Sequence, residues 1–439
     1  MASSSPSLRP LLLFAAVALA VSGNAGGATL GLDFHHRFSD RVRRWAEAHG
    51  GLPGGWWPEK GSVEYYATLA RHDRALADGG HPDKDLAFVD GNKTVSLGFL
   101  HYAFVALGTP NLTFLVALDT GSDLFWVPFE DILYFKTEET IPKVVKAPIV
   151  FGCGRFQTGV FLDGTAPNGL FGLGLKKVSV PSVLASKGYT SDSFSMCFGS
   201  DGIGRIYFGD KGSSDQEETP FHVNHRHPTY NISFTGLEVG NISVDVKFSA
   251  IVDSGTSFTY LADPEYTKLA ESVQENRHKS DPDIPFEYCY KLSPNQSSIM
   301  LPETNLTTKG GSRFPVNVPI IFVSYEQRTF ACCLAIVKSH RLNIIGQNFM
   351  TGLRIVFDRE RMILGYDAED SSTPPVNRNQ SAIPPSPAYG PSSYTPDATK
   401  GRGNSTQVTE LAPSSSHSSH LNSMKSILWT LVVFSLAIL

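Results

Sequence analysis

The sequence predicts a mainly β protein that carries two copies of a short acidic loop motif. The 439-residue chain holds 39 glycines, 28 prolines, 28 phenylalanines and 15 tyrosines, a composition typical of turn-rich β proteins. Short apolar runs interrupted by glycine and proline fill residues 97–368, as expected for strands. Helical patterns are few; they lie near Glu64–Asp78, Pro181–Lys187, Asp263–Asn276 and Gln347–Thr351.

Length and charge restrict the class of protein. At about 100–200 residues per domain, the length allows two or three domains or lobes. The net charge of −5 and the pI of about 6.2 argue against a nucleic-acid-binding protein, which usually carries a basic stripe. Five cysteines without a spaced Cys/His set exclude a disulfide-framework mini-protein and disfavour a structural zinc site.

Both ends of the chain carry targeting patterns. Arg9 precedes the apolar run Leu11–Val21, which predicts a signal peptide; the alternative is a membrane anchor. At the other end, the small residues Ser414–Ser419 and a polar spacer precede the apolar tail Ile427–Leu439. This order is typical of a GPI-attachment signal, and a short tail anchor is the alternative. We therefore expect the secretory pathway and a GPI-anchored place at the cell surface, with secretion as the alternative.

These patterns divide the chain into six parts. The segment after the signal peptide is locally basic, which fits a cleaved pro-segment or a plain N-terminal extension. A stretch rich in Ser, Pro and Thr precedes the tail, and its composition is typical of a disordered stalk. The expected parts are a signal peptide at 1–23, a pro-segment at 24–96, an N-terminal β lobe at 97–220, a C-terminal β lobe at 221–368, a stalk at 369–426 and the tail at 427–439.

A secretory route gives meaning to the Asn-x-Ser/Thr sequons, although each one alone is common by chance. The candidate glycosylation sites are Asn92, Asn111, Asn231, Asn241, Asn295, Asn305, Asn379 and Asn404.

One motif occurs twice. Val116–Ser122 and Ala250–Thr256 each contain an apolar run, an aspartate, a hydroxyl residue, glycine and a second hydroxyl residue. Further along, each copy is followed by two apolar residues before a glycine, at Leu170–Gly172 and Ile344–Gly346. A single Asp-Thr-Gly is usually an ordinary turn, but two copies with matching flanks indicate an internal duplication.

The duplicated motif suits a pair of catalytic acids. In each copy an apolar strand delivers a carboxylate, Asp119 or Asp253, to a tight glycine turn. Two such loops facing each other would bring the carboxylates together, and two close like charges share a proton over a range of pH. One acid can then act as general base on a water while the other protonates a carbonyl oxygen. This chemistry requires no cofactor and no metal.

These residues resemble those of the pepsin-like aspartic proteases, and most closely the plant nepenthesin-like branch with a GPI signal. The resemblance covers roughly residues 97–366 and includes Phe99–Pro110, Ala147–Gly159, Phe194–Gly199 and Asn343–Phe349. It implies a bilobal β fold with a substrate cleft, and an aspartic endopeptidase in which Asp119 and Asp253 are the catalytic pair.

The resemblance also assigns roles to the residues around the pair. It implies that Ser122 and Thr256 bind the outer carboxylate oxygens and that Thr120 and Ser254 tie the two loops together, beside Gly121 and Gly255. Trp126 is expected beneath the first loop, and Gly172 and Gly346 in segments threaded behind the loops. It further implies disulfides Cys153–Cys197 and Cys289–Cys333, with Cys332 left over.

One departure from the family is large. Between Trp126-Val127-Pro128 and the segment at Gly152, the family carries a cysteine-rich insert and a hairpin flap with a tyrosine over the cleft. Here that interval is short, so the N-terminal lobe is expected to be incomplete, and Tyr134 stands in the wrong context to be the flap tyrosine. Loss of a flap weakens substrate positioning and water exclusion, so this chain is also considered as an inactive truncated isoform.

Three functions compete. The first is an aspartic endopeptidase acting on a peptide or protein substrate. The second is a non-catalytic binding or inhibitor protein on the same fold, and the third is a surface or adhesion protein tethered through a lipid anchor. The expected partners are a peptide and a membrane but no nucleic acid, and the chain is expected to be a monomer. His222, His225 and His227 are expected in a solvated loop rather than in a metal site.

Overall fold

The computed structural model describes residues 29–49, 57–77, 87–90, 93–107, 112–127, 133–137, 144–147, 152–153, 166, 168–199, 201–224, 228–273, 286–291, 303–325 and 328–368. The expected signal peptide, stalk and apolar tail lie outside these residues, so those three assignments stay predictions. Among the described residues, no helix combines the length and the apolar character needed to span a bilayer.

Strands dominate the described residues. The helices are α1 Asp40–Ala48, α2 Val63–Ala77, α3 Val180–Ser186, α4 Glu265–Val273 and α5 Gln347–Met350. The first thirteen strands are β1 Leu30–His36, β2 Ala87–Asp90, β3 Lys93–Ser96, β4 His101–Leu107, β5 Leu112–Asp119, β6 Trp126–Val127, β7 Leu133–Thr137, β8 Val144–Ala147, β9 Gly152–Cys153, β10 Leu170–Gly172, β11 Ser193–Phe198, β12 Ile203–Phe208 and β13 Glu217–Pro220. The others are β14 Asn231–Val239, β15 Ile242–Val252, β16 Thr259–Ala262, β17 Cys289–Lys291, β18 Thr304–Thr308, β19 Arg313–Pro315, β20 Ile320–Tyr325, β21 Arg328–Leu334, β22 Ile336–Ser339, β23 Ile344–Ile345, β24 Leu353–Asp358 and β25 Ile363–Ala368. The mainly β fold class predicted from the sequence is confirmed.

Two large sheets correspond to the two expected lobes. The first has thirteen strands in the order β13-β25-β24-β11-β12-β1-β7-β4-β5-β10-β6-β9, with β8 paired to β7. The second has seven strands in the order β19-β18-β14-β15-β23-β16-β22. The first sheet also takes in β24 and β25, which lie in the part of the chain assigned to the second lobe. The two halves of the chain are therefore joined through a shared sheet.

The buried core runs continuously between the sheets. Phe194 on β11 stacks on Phe357 of β24 with ring centroids 4.6 Å apart, and Tyr230 packs edge-on against Phe357 at 4.7 Å. The Tyr230 hydroxyl donates a 2.7 Å hydrogen bond to the Leu173 carbonyl. Aromatic rings of this size contribute large buried apolar areas, so this cluster fixes the two lobes against each other.

The segment expected to be a pro-segment packs on the body of the protein. Strand β1 pairs with β12 from Leu30 opposite Phe208 to His35 opposite Ile203, and it also pairs with β4 and β7. On α2, Leu69 and Ala70 are buried in a cluster that includes Phe258. The N-terminal segment thus supplies an internal strand of the first sheet. It also supplies a helix, α2, which packs on residues from the second half of the chain. Its cleavage stays a prediction.

Helix α1, which the sequence pattern did not single out, begins with an N-cap. The Ser39 side chain accepts a hydrogen bond from the Val42 N–H, and Asp40 places negative charge in the first turn, where the helix dipole favours it. Val42 and Ala46 are fully buried on the inner face. These two residues anchor the helix against the first lobe.

A hairpin fills the interval in which the family carries its insert and flap. β7 and β8 pair antiparallel, from Leu133 opposite Ala147 to Lys136 opposite Val144. Tyr134 pairs with Ala106 of β4 on one side and with Lys146 on the other, so its backbone is part of the first sheet. The described residues of this interval therefore extend the sheet. The expected absence of the flap stays a prediction, because neighbouring residues lie outside the described ranges.

One of the two expected disulfides is formed. β17 pairs with β21 so that Cys289 lies opposite Cys333, and these two cysteines are bridged. The expected Cys153–Cys197 bridge stays a prediction, because the Cys153 side chain lies outside the described residues; Cys197 is half-buried on β11. Cys332, the cysteine that the resemblance leaves over, is buried on β21.

Candidate active site

Each copy of the duplicated motif forms the same turn. Asp119 is the last residue of β5, and Asp253 directly follows β15. The Gly121 N–H donates to Asp119 Oδ1 at 2.8 Å, and the Gly255 N–H donates to Asp253 Oδ1 at 2.8 Å. Both carboxyl groups are therefore held by the backbone of their own loops, in matching geometry.

The two carboxyl groups face each other across the Gly255 backbone. A Cβ placed on Gly255 would lie 3.2 Å from Asp253 Oδ1 and 4.0 Å from Asp119 Oδ1. The Thr120 hydroxyl, next to Asp119, reaches Asp253 Oδ1 at 3.4 Å. The structure thus brings together the two aspartates that the sequence pattern paired.

The residues between aspartate and glycine join the loops. The Ser254 N–H donates to Thr120 Oγ1 at 3.2 Å, and the two side-chain hydroxyls lie 3.4 Å apart. Both side chains are buried. The contact spans 134 positions in the chain, so it fixes one lobe's loop relative to the other.

The outer hydroxyl residues differ between the loops. Thr256 donates a 2.7 Å hydrogen bond to Asp253 Oδ2, as the sequence predicts. The buried Ser122 hydroxyl makes no hydrogen bond of standard geometry to the described residues, although its proximity to Asp119 lowers the pKa of that carboxyl.

The pKa of Asp119 is raised to about 6. Burial is the main cause and the neighbouring Asp253 carboxyl is the second, while the nearby Ser122 hydroxyl and the hydrogen bond from the Gly121 N–H act in the opposite direction. Both causes favour the neutral form of the acid. Asp119 is therefore the carboxyl suited to hold a proton in mildly acidic solution.

Two glycines allow strands to pass directly behind the loops. Gly172 on β10 pairs in parallel with Asp119, and a Cβ on it would lie 2.4 Å from the Asp123 carbonyl carbon. A Cβ on Gly346, which follows β23, would lie 2.2 Å from the Phe258 carbonyl oxygen. Only glycine fits this closely against another backbone. The expected threading of both segments is what the structure shows.

Trp126 lies on β6 opposite Leu170. It is partly buried and packs against a cluster that includes Tyr102, Ala117 and Leu170. It thus supports the strand that leads into the first loop.

Three residues that contact the second loop or the residues just after it carry no signal in the sequence. His101 Nδ1 lies 3.1 Å from the Ser254 carbonyl oxygen. His72 is fully buried on α2, close to the backbone of Gly255. Asp73, also on α2, accepts hydrogen bonds from Ser257 and Phe258. No local pattern marks them, because each acts across more than 150 positions of the chain.

The candidate glycosylation sites have different environments. Asn241 is exposed at the turn between β14 and β15. Asn231 is partly buried at the start of β14, and Asn305 is 5% exposed, with its Nδ2 donating to Glu303 at 3.1 Å. The sequons at Asn92, Asn111, Asn295, Asn379 and Asn404 lie outside the described residues. Of the three described asparagines, Asn241 has the geometry a glycan requires.

The sequence predicts no metal site, and one observation bears on that prediction. Within the described ranges, no group of three or more His, Cys, Asp and Glu side chains is arranged to hold a metal ion. His222 lies in an irregular segment before β14, whereas His225 and His227 are outside the described residues.

Three comparisons bear on this geometry. A family model described as eukaryotic aspartyl protease matches residues 140–368, a range that contains Asp253 and begins after Asp119. Aspartyl protease family protein 1 of Arabidopsis thaliana is 42% identical over 478 aligned positions, covering 89% of this chain and 91% of that protein. Aspartic proteinase-like protein 1 of the same plant is 32% identical, covering 80% of this chain and 84% of that protein.

A solved structure agrees at the level of the fold. Basic 7S globulin from soybean superposes with a TM-score of 0.51 and 17% identity, covering 65% of this chain and 96% of that one. At that identity the likeness concerns the fold alone. The paired aspartate loops, the family model and the two plant relatives together show that the chain belongs to the eukaryotic aspartyl protease family.

Proposed function

We propose that the chain is an aspartic endopeptidase that hydrolyses peptide bonds with a water activated between Asp119 and Asp253. The observation that carries this proposal is the approach of both carboxyl groups to the same glycine backbone. Asp253 accepts hydrogen bonds from Gly255, Thr256 and Thr120, which suits it to act as the carboxylate that takes a proton from water. Asp119, with its pKa raised to about 6, supplies a proton to the carbonyl oxygen of the substrate.

The order of events follows from this division of roles. Water attacks the peptide carbonyl carbon as its proton passes to Asp253, and the carbonyl oxygen takes the proton of Asp119. Collapse of the tetrahedral diol then breaks the C–N bond as the amine receives a proton from Asp253 and one diol hydroxyl gives its proton back to Asp119. General acid and base groups of matched pKa are the usual basis of such a reaction.

The proposal is tested by hydrolysis of a denatured protein substrate at about pH 3–5, with the full-length wild-type chain and with Asp119→Asn and Asp253→Asn. Each substitution removes a proton-transfer group without changing the size of the side chain, so we expect a loss of at least about a hundredfold in kcat. Asp215→Asn, at an exposed position, is the matched control and should retain activity. Hydrolysis that persists unchanged in both loop variants would contradict the proposed chemistry.

One observation bears on a second candidate. The alignment with the 42% identical relative spans 478 positions but involves only 89% of this chain, so about 85 aligned positions of the relative have no counterpart here. The interval between Trp126 and Gly152 is also shorter than in the family that the sequence resembles. The alternative is therefore an inactive truncated isoform or a non-catalytic binding protein. Absence of hydrolysis by a folded wild-type chain, with measurable peptide binding, would favour it.

We further propose the nepenthesin-like branch, a peptide or protein as substrate, the secretory pathway, a monomeric state and attachment to the cell surface through a GPI anchor. The motif flanks support the branch, and the two terminal patterns support the route and the anchor. Treatment of intact cells with a phospholipase specific for GPI should release the protein into the medium. Retention on the membrane would point to a spanning tail instead.

A further inference from the structure

The Asp73 carboxyl group is enclosed by donors from the opposite half of the chain. Ser257 contacts it three times: its N–H lies 3.0 Å from Oδ1 and 3.1 Å from Oδ2, and its hydroxyl lies 2.9 Å from Oδ1. The Phe258 N–H reaches Oδ2 at 3.1 Å, and the Tyr260 hydroxyl reaches it at 3.4 Å. Asp73 is only 3% exposed, so these donors replace its hydration.

The chemistry of these donors selects a carboxyl group. Two backbone N–H groups and two hydroxyls converge on two adjacent oxygens, and a group with two acceptor oxygens satisfies that arrangement better than an amide, which offers one. Backbone N–H donors also keep their direction without loss of side-chain entropy. Burial raises the pKa of Asp73 to about 7, while the hydrogen bonds from Ser257 and Phe258 oppose that rise.

The donors and their occupant belong to different parts of the chain. Ser257, Phe258 and Tyr260 continue directly from the loop that carries Asp253. The occupant comes from α2, within the N-terminal segment. The Asp253 charge contributes to the raised pKa of Asp73, so a carboxyl group held here is an electrostatic neighbour of the reacting pair.

We propose that Ser257, Phe258 and Tyr260 form a carboxyl subsite that binds an acidic side chain, Asp or Glu, of the peptide substrate, and that Asp73 occupies this subsite in the full-length chain. The substrate role rests on the proposed peptidase function, whereas binding of a carboxyl group at these donors does not. An acidic peptide and α2 compete for the same donors. The site therefore favours acidic over amide side chains at one substrate position.

The first experiment tests binding without activity. Asp73→Ala is made in the full-length chain, and its melting temperature is measured at pH 7 while acetate or acetamide is added. Removing the carboxyl group leaves the donors facing a small cavity, so acetate should raise the melting temperature saturably and acetamide should not. Asp215→Ala at an exposed position is the control. An acetate effect that is the same for Asp73→Ala, Asp215→Ala and wild type overturns the proposal.

A second variant guards against failure of Asp73→Ala to fold. Asp73→Asn retains the shape of the side chain but turns an NH2 group toward the donors, so the full-length variant should melt below wild type. Exposed Asp215→Asn should melt like wild type. If Asp73→Asn melts at the wild-type temperature, the donors do not select a carboxyl group and the subsite is refuted.

The third experiment tests the role in substrate selection with the wild-type chain. Peptide pairs differ by Glu or Gln at one position, and the position is moved along the peptide. We expect about a tenfold higher kcat/KM for Glu at one position, mainly through KM, and a smaller ratio in Ser257→Ala. Equal hydrolysis of every pair would remove the substrate role. If no peptide is cleaved, the proposed peptidase function fails, and the acetate titration still decides the carboxyl site.

Discussion

The Ser254 N–H and Thr120 Oγ1 form a hydrogen bond of 3.2 Å that joins the two aspartate loops across 134 positions of the chain. Thr120 also contacts Asp253 Oδ1 at 3.4 Å. A single buried hydroxyl thus holds the opposite loop and one of its carboxyl oxygens. The spacing of the aspartate pair depends on this side chain.

Thr120→Val is therefore expected to lower both stability and activity. Valine has nearly the same shape but leaves the buried Ser254 N–H without its acceptor, which costs about 1–3 kcal/mol. Urea denaturation gives the free energy of unfolding, and peptide hydrolysis gives kcat. Thr120→Ser keeps the hydroxyl and is the control, expected to lie close to wild type. A Thr120→Val variant that matches Thr120→Ser in both measurements would show that the loops are held by other contacts.

The two threaded glycines lead to a second prediction. Gly172→Ala and Gly346→Ala each place a methyl group within 2.4 Å of opposing backbone atoms, a separation that requires the strands to move apart. We expect each variant to lose more than about 3 kcal/mol of stability, because overpacking against a backbone cannot be relieved by a change of rotamer. Thermal unfolding monitored by circular dichroism measures the loss.

Gly310→Ala is the matched control for this pair. A Cβ there meets its nearest atom, the Glu218 carbonyl oxygen, at 3.5 Å, an ordinary van der Waals contact. Its melting temperature should lie near that of wild type. Equal melting temperatures for Gly346→Ala and Gly310→Ala would mean that the segment behind the second loop can shift freely.

Much of the aspartate site could be predicted from the sequence because it is encoded locally and twice. Each aspartate, its glycine and its hydroxyl neighbours lie within four residues, so the pattern is readable without knowledge of the fold. The positions of Gly172 and Gly346 behind the loops were predicted because the same pattern, two apolar residues before a glycine, occurs once in each half of the chain. Cys289 and Cys333 were paired through the family resemblance alone.

The remainder depends on contacts that local patterns do not record. The pairing of β1 with β12 joins residues more than 160 positions apart, and basic residues around β1 gave no sign of a central strand. Asp73 meets Ser257 across 184 positions.

Four buried histidines surround the contact between the N-terminal segment and the body. His35 and His36 lie on β1, His72 on α2 and His101 on β4, and none is more than 6% exposed. The rings of His36 and His101 are 5.7 Å apart. Burial is the main cause that lowers each pKa: to about 4 for His35, to about 3 for His101, and well below the usual range for His36 and His72.

These shifts make the folded state sensitive to acid. A histidine with a lowered pKa binds its proton only on unfolding, so its contribution to stability is complete above about pH 6.5 and is lost as pH falls toward the folded pKa. Asp73 and Asp119 have the opposite effect on stability, because their pKa values are raised to about 7 and about 6. Their contribution to the free energy of unfolding is most favourable at low pH and is lost as pH rises through these values.

The balance between four histidines and two aspartates gives the third prediction. Between pH 6 and pH 4.5, unfolding takes up a net of about two protons, so the free energy of unfolding should fall by roughly 3 kcal/mol for each unit by which the pH falls. Urea denaturation at several pH values measures this slope. His72→Gln removes one titrating group and should reduce the slope by about 1.4 kcal/mol per pH unit, whereas His340→Gln, at an exposed position, should leave it unchanged. A slope that is the same in both variants would show that His72 is not buried in its neutral form, and the docking of α2 against the second aspartate loop would then need another explanation.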